Sequence, residues 1–174
     1  EAIIVAKGPG AFSALRVGMG FVKGMAESLS VPLVGVSTLE LEASPYFSDS
    51  QRPLCPMLEV GRNSIAWSLY ERSSDGWLQT MIEQVTTLDA MVDAVPASTM
   101  FCGEGAWSTS EQLQESVNSG STVKADGPPT RRLLILSSIG LRELAKGETI
   151  DNTSMEPNYL RAPSITMQTA AKPT

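Results

Sequence analysis

The chain opens on an unbroken apolar run, Ala2-Ile3-Ile4-Val5-Ala6. Such a run suits a strand covered on both faces, as in parallel sheets. It stops at Gly8-Pro9-Gly10, residues that favour a turn. The period then changes. Phe12, Leu15, Met19, Val22, Ala26 and Leu29 recur every three or four positions, which predicts a helix over 12–29. Pro32-Leu33-Val34-Gly35-Val36 predicts a second buried strand. Strand, helix and strand in this order form a βαβ unit with parallel strands. A short helix over 38–43 follows, and Pro45, Ser48, Asp49, Ser50 and Pro53 then mark a linker and a candidate domain boundary.

Beyond the linker the pattern shortens. Residues 57–60 predict a short strand, closed by Gly61-Arg62-Asn63. Ile65, Trp67 and Leu69 alternate with Ala66, Ser68 and Tyr70, the period of a strand. Ser73-Ser74-Asp75-Gly76 predicts a hairpin turn into a return strand over 77–85. A helix starts near Thr86 with Leu88, Met91, Val92 and Val95 on one side, and Pro96 stops it. A short strand over 99–102 leads into Gly103 and Gly105. Ser108 with Glu111 has the spacing of a capping box for a helix carrying Leu113 and Val117. Pro128-Pro129 precedes a helix over 131–146, with Leu133, Leu136, Gly140 and Leu144 on one face and Gly147 as C-cap. An extended tail follows Met155, read as disordered from Thr166 onward.

The helix over 12–29 carries a second apolar group, Val17, Phe21 and Met25, away from its main seam. A helix lying on one sheet needs a single stripe. Gly18, Gly20 and Gly24 also lie inside it, each costing about 1 kcal/mol relative to alanine. Small residues compensate for that cost where another backbone approaches closely. That backbone belongs either to the same domain or to another chain, and the pattern does not choose.

The length of 174 residues suits one medium domain or two small ones. A chain that starts at Glu1 and runs directly into a strand reads as a fragment or a processed chain. The net charge of −6 disfavours direct binding to a phosphate backbone. Histidine is absent, which removes the commonest general base and the commonest zinc ligand. Cys55 and Cys102 read as two buried thiols. No apolar run approaches the ~20 residues that span a bilayer.

Lys7-Gly8-Pro9-Gly10 invites a phosphate-loop reading, but no Gly-Lys-Ser/Thr follows, so a tight strand-to-helix turn is expected. Gly103-Glu104-Gly105 is expected to be a second such turn. Glu40 with Glu42 and Asp89 with Asp93 fall at helical positions expected to face water. Glu59, at the end of a buried strand, is the most distinctive acid.

The segment Gly8-Pro9-Gly10-Ala11-Phe12-Ser13-Ala14-Leu15-Arg16-Val17-Gly18 resembles the Gly-Pro-Gly-Ser-Phe-Thr-Gly-Leu-Arg-Ile-Gly segment of the TsaB (YeaZ) family. Lys23-Gly24-Met25-Ala26, Pro32-Leu33-Val34-Gly35-Val36-Ser37-Thr38-Leu39-Glu40, Ser68-Leu69-Tyr70, Gly103-Glu104-Gly105-Ala106 and Pro157-Asn158-Tyr159-Leu160-Arg161 resemble further segments of that family, in the same order. The first forty residues match specifically, and the middle matches more in order and spacing than in identity.

The resemblance implies an actin-like (ASKHA) fold of two α/β lobes. Residues 1–52 would be a remnant of the first lobe, 53–154 the second, and 155–174 an extended tail. Family members carry further strands and an Asp-Thr-Ser motif ahead of the matching segment. Without them the first sheet would show an open edge, so poor stability or self-association is expected. The family's role is non-catalytic dimerisation in tRNA threonylcarbamoyladenosine biosynthesis, beside the catalytic paralogue TsaD and the ATPase TsaE, in the cytoplasm. The resemblance therefore implies no catalytic residue, cofactor or metal, with a homodimer as the form without TsaD. The family's interface helix maps onto Phe12, Leu15, Arg16, Met19, Val22, Lys23 and Ala26, beside the Gly8-Pro9-Gly10 loop. Ala11 and Ala14 depart from the family's serine and glycine, and Glu59-Val60-Gly61 stands where the family has Asp-Ala-Arg. These departures bear on a residual nucleotide contact. The competing readings are an actin-like ATPase or sugar kinase and, more remotely, a peptidase, for which no nucleophile elbow or metal-ligand cluster is seen.

Overall fold

A computed structural model describes residues 1–124, 133–147 and 154–160. Strand β1 (Ile3–Gly8), helix α1 (Phe12–Leu29) and strand β2 (Leu33–Ser37) form the expected βαβ unit, with β1 and β2 parallel. Gly8 turns the chain at φ +106°, a left-handed conformation that favours glycine. A Cβ there would also lie 2.9 Å from Leu15 Cδ1, so the turn and the first turn of α1 pack directly.

Ser37 caps the short helix α2 (Thr38–Ala43), its hydroxyl accepting from the backbone N–H groups of Leu39 and Glu40. A 3₁₀ turn over Ser44–Tyr46 then leads to the second sheet. Strands β3 (Leu54–Glu59), β4 (Ile65–Ser73) and β5 (Gly76–Thr86) form the expected meander. Helix α3 (Leu88–Ala94) is capped by Thr87, one residue after the expected start. Strand β6 (Met100–Cys102) lies parallel to β3, followed by α4 (Glu104–Ser108), α5 (Ser110–Ser116) and β7 (Thr122–Val123). The second sheet runs in the order β5-β4-β3-β6-β7.

The capping box expected of Ser108 and Glu111 does not form. The break between α4 and α5 falls at Thr109, whose side chain makes no cap. Ser108 instead donates its hydroxyl to Glu59 at 2.5 Å, because α4 packs against the end of β3 and brings the two together.

Helix α6 (Leu133–Ala145) follows. It was expected within the second unit, yet Ile135, Leu136 and Ile139 pack on Ile4, Val36 and Leu41 of the first. Gly140 explains the closeness: a Cβ there would fall 2.3 Å from Ile4. Leu133, grouped with this face in the sequence, is 79% exposed, because the packing stripe runs through Ile135 and Ile139 instead. The expected first turn at Arg131 and Arg132 lies outside the described residues, as do Pro128-Pro129, Arg161 and the tail from Thr166.

The first sheet is thus covered on both sides. Met19, Ala26 and Val22 of α1 meet Ile3, Val5, Leu33 and Met155 on one face, and α6 meets Ile4 and Val36 on the other. Among the described residues β1 pairs only with β2. The larger core centres on Trp67, Met57, Phe101, Met91 and Leu113 of the second sheet and its helices. Cys55 and Cys102 are free and fully buried, and burial pushes both thiols above the ordinary range.

Gly140→Ala should lower stability by about 1–3 kcal/mol, since the added methyl forces Ile4 and α6 apart. Denaturant unfolding monitored by circular dichroism checks this. An unchanged midpoint would show that α6 can shift without loss.

Candidate partner face and inter-sheet cleft

Of the residues mapped onto an interface, most turn inward. Met19 is 4% exposed and Ala26 fully buried, while Phe12, Leu15 and Val22 are half-buried. Met19, Val22 and Ala26 build the core beneath α1, Leu15 packs under the Gly8-Pro9-Gly10 turn, and Phe12 stacks on Tyr159 at 4.8 Å. Met19 and Ala26 are thereby enclosed in the protein's own core, while Phe12, Leu15 and Val22 keep part of their surface open. Arg16 is exposed and Lys23 half-buried.

The second group is the open one. Val17 is 72% exposed, Phe21 68%, Leu29 61% and Met25 40%. With 3.6 residues per turn, Val17, Phe21, Gly24, Met25 and Ser28 share this outer face, while Arg16, Lys23 and Glu27 gather on one flank. A Cβ placed on Gly18, Gly20 or Gly24 would meet nothing within 4 Å. The chain's own packing gives no reason for these three glycines. Together they leave an uncharged stripe of large apolar residues bordered by bare backbone, the surface a second helix can approach closely.

At the far end of the first sheet a cleft opens between β2 and β5. Two bulges shape it. The pairing of β4 with β5 skips one residue of β5 between Tyr70↔Gln79 and Leu69↔Met81, and another before Trp67↔Gln84. Bulges of this kind re-aim side chains. Here they place Gln79, Ile82 and Glu83 on the cleft wall opposite Lys7, Val34, Gly35 and Ser37. Glu83 accepts a hydrogen bond from the Ser37 hydroxyl and another from the Asn158 side-chain amide, so it ties β5 to the start of α2 and to the tail. The tail itself is held by Asn158 N–H donating to Lys7 O at 2.7 Å. Burial raises the Glu83 pKa, while the Ser37 hydrogen bond and the Lys7 charge oppose the rise. Glu40 reaches Arg142 of α6 at 2.5 Å.

Glu42 corrects the expectation of a solvated acidic pair. It is 6% exposed, packed beneath Gly103, whereas Asp89 and Asp93 are exposed as expected. Gly103 takes φ +92° and a Cβ on Gly105 would strike the Met57 backbone at 2.8 Å, so this motif seats α4 on β3. Glu59 is exposed and held by Ser108. Among the described residues no cluster of three potential ligands could hold a metal ion, and no helix is long and apolar enough to cross a membrane.

The profile of one family, TsaD: tRNA N6-adenosine threonylcarbamoyltransferase, matches residues 1–167. The tRNA threonylcarbamoyladenosine biosynthesis protein TsaB of Haemophilus influenzae is 25% identical over 170 residues, covering 92% of this chain and 70% of that protein. TsaB of Escherichia coli is likewise 25% identical, with 92% and 71% covered. The chain belongs to this family, in its TsaB (YeaZ) branch. The solved structure of YeaZ from Pseudomonas aeruginosa is 25% identical and superposes with a TM-score of 0.73, covering 92% of this chain and 74% of that one. The fold of this TsaB-family chain is therefore the actin-like α/β fold, in which α1 follows the Gly8-Pro9-Gly10 turn.

Glu83, which the sequence did not single out, and Asn158, quoted there only as part of the closing segment, organise the cleft. Their partners lie 46 and 75 positions away, beyond any local pattern.

Because the folded pKa of Glu83 is raised above its unfolded value, its contribution to stability is fully present below the unfolded pKa and is lost as pH rises through the folded one. Glu83→Gln removes that titration. The stability of the unmodified protein relative to this variant should fall as pH rises above the ordinary carboxylate value of 4.5. Urea unfolding of both proteins as pH is raised gives the answer, and a constant difference would contradict it.

Proposed function

We propose that this chain is the non-catalytic dimerisation subunit of tRNA threonylcarbamoyladenosine biosynthesis, pairing with the catalytic paralogue TsaD through the outer face of α1. The observation that carries the reading is the uncharged stripe Val17, Phe21, Gly24 and Met25, exposed on a helix whose other side is already buried. A helix apolar on both sides, with glycines that touch nothing in its own chain, fits a surface completed by another helix. A C2 pairing of two copies of the same stripe is the form expected when TsaD is absent. TsaE would join the assembled pair. The acidic net charge of −6 supports leaving tRNA contact to the partner. The absence of histidine supports leaving the chemistry there as well. Residues 1–52 and 53–154 serve in this reading as the two lobes, with α6 and the tail returning to brace the first. The chain would work where tRNA is modified, in the cytoplasm.

Phe21→Asp places a charge at the centre of the stripe. It should leave the fold intact, since Phe21 is 68% exposed, and weaken the complex with TsaD by at least about 2 kcal/mol, some thirtyfold. Light scattering and calorimetry on the purified pair read both. Full affinity in a folded variant would remove α1 from the interface.

Gly24→Ala separates packing from binding. In the isolated chain the added methyl meets nothing, so unfolding stability should rise by up to about 1 kcal/mol. In the complex it should hinder close approach and lower affinity. A gain in both would show that the partner does not come near this backbone.

A further inference from the structure

The cleft between β2 and β5 contributes nothing to the partner face, because none of its lining residues belongs to α1. Its volume is ≈ 600 Å³, inside the range of about 300–1,000 Å³ typical of small-molecule sites. Two opposite charges line it. Lys7 runs along the gap left by Gly35, where a Cβ would lie 3.1 Å from Lys7 Cδ. Among the described residues no carboxylate lies within ion-pair distance of the Lys7 ammonium, although its charge acts on Glu83. Glu83 stands on the opposite wall, aimed inward by the bulges of β5 and steadied by Ser37 and Asn158. Two hydrogen bonds leave a carboxylate with further acceptor sites, since its two oxygens offer about four.

The balance of charge narrows the ligand. Three carboxylates, Glu40, Glu83 and Glu143, and one ammonium, Lys7, line the cleft. Arg142 already pairs with Glu40 and Glu143, so a phosphate dianion would gain Lys7 but face the unneutralised Glu83. A simple amine would satisfy Glu83 and leave its charge opposite Lys7. A molecule with both charges a few bonds apart satisfies both walls, and Val36 and Ile82 offer apolar contact to whatever lies between them. We propose that this cleft binds a small zwitterion of the α-amino-acid class, free or as a dipeptide, its carboxylate on Lys7 and its ammonium on Glu83. The site is independent of the pairing with TsaD and stands or falls separately from it.

The test is calorimetric titration of the whole chain with a panel of free amino acids and dipeptides, followed by the tightest of them in N-acetylated and C-amidated form. The expected dissociation constant lies between about 10 μM and 1 mM. Each cap should weaken binding by about tenfold or more, as loss of a charged hydrogen bond requires. Lys7→Met and Glu83→Gln should do the same with thermal unfolding still cooperative, and Phe21→Asp should leave it unchanged. The comparison of capped and uncapped ligands uses the unmodified chain, so it decides even if a variant folds poorly. No heat and no thermal shift at about 10 mM of any panel member would overturn the proposal. Equal binding of the capped forms, or tighter binding of inorganic phosphate, would do so too.

Discussion

A parallel pair of strands has no stability of its own in water, and the first half of this chain is arranged around that constraint. Parallel ladders persist where both faces are shielded, and β1 and β2 are shielded by α1 on one side and α6 on the other. Burying side chains such as Leu33, Met19, Val36 and Ile139 contributes about 1.5–3 kcal/mol each. The second cover comes from a helix some hundred residues further along the chain. Its closeness rests on one missing side chain, because Gly140 lets α6 settle onto Ile4. The return of α6 and of Met155 to the first sheet binds the two halves into one body.

The same constraint decides what α1 can offer outward. Its inner seam is committed to Leu33, Val5 and Met155, and its first turn to the Gly8 turn and Tyr159. The residues left over are large and apolar where a solvated helix would carry charges, and the charges it has are confined to a flank. Exposed apolar surface of this kind is what the proposed pairing would cover. The glycines that weaken the helix by propensity are tolerated because α1 is held by tertiary packing on one side and, in the proposed complex, by a neighbour on the other.

The second sheet contributes in a different way. Its edge strand is two residues longer than the segment of β4 it pairs with, and the excess is absorbed as bulges. They turn Glu83 toward Ser37, Lys7 and Asn158. One side chain thereby links β5 to the first sheet's end and to the closing tail, while Trp77 donates to Phe47 O at 2.7 Å and anchors the hairpin's tip. The cleft is a product of that linkage, formed where the two sheets meet without filling the space between them.

Much of this was legible in the sequence because the signals are local. The apolar run at Ile3 to Ala6, the three-and-four spacing from Phe12, the turn at Ser73 to Gly76 and the glycine at 147 each act over a few residues, and the elements formed as expected. The order of family-like segments from Gly8 to Leu160 was likewise linear information. The failures share one physical cause. Which apolar stripe of α1 lies inward depends on where Met155 and β2 sit, so the seam at Met19 and Ala26 went to the core and left Phe21 outside. Ser108 had the spacing of a cap but found Glu59, a partner 49 positions away, once α4 had docked on β3. Glu42 looked solvated by its helical position and was buried by the Gly103 turn. Periodicity and turn chemistry determine the elements, and the ordered motif segments carry the likeness to the family. Long-range packing alone decides which of their faces remain available for function.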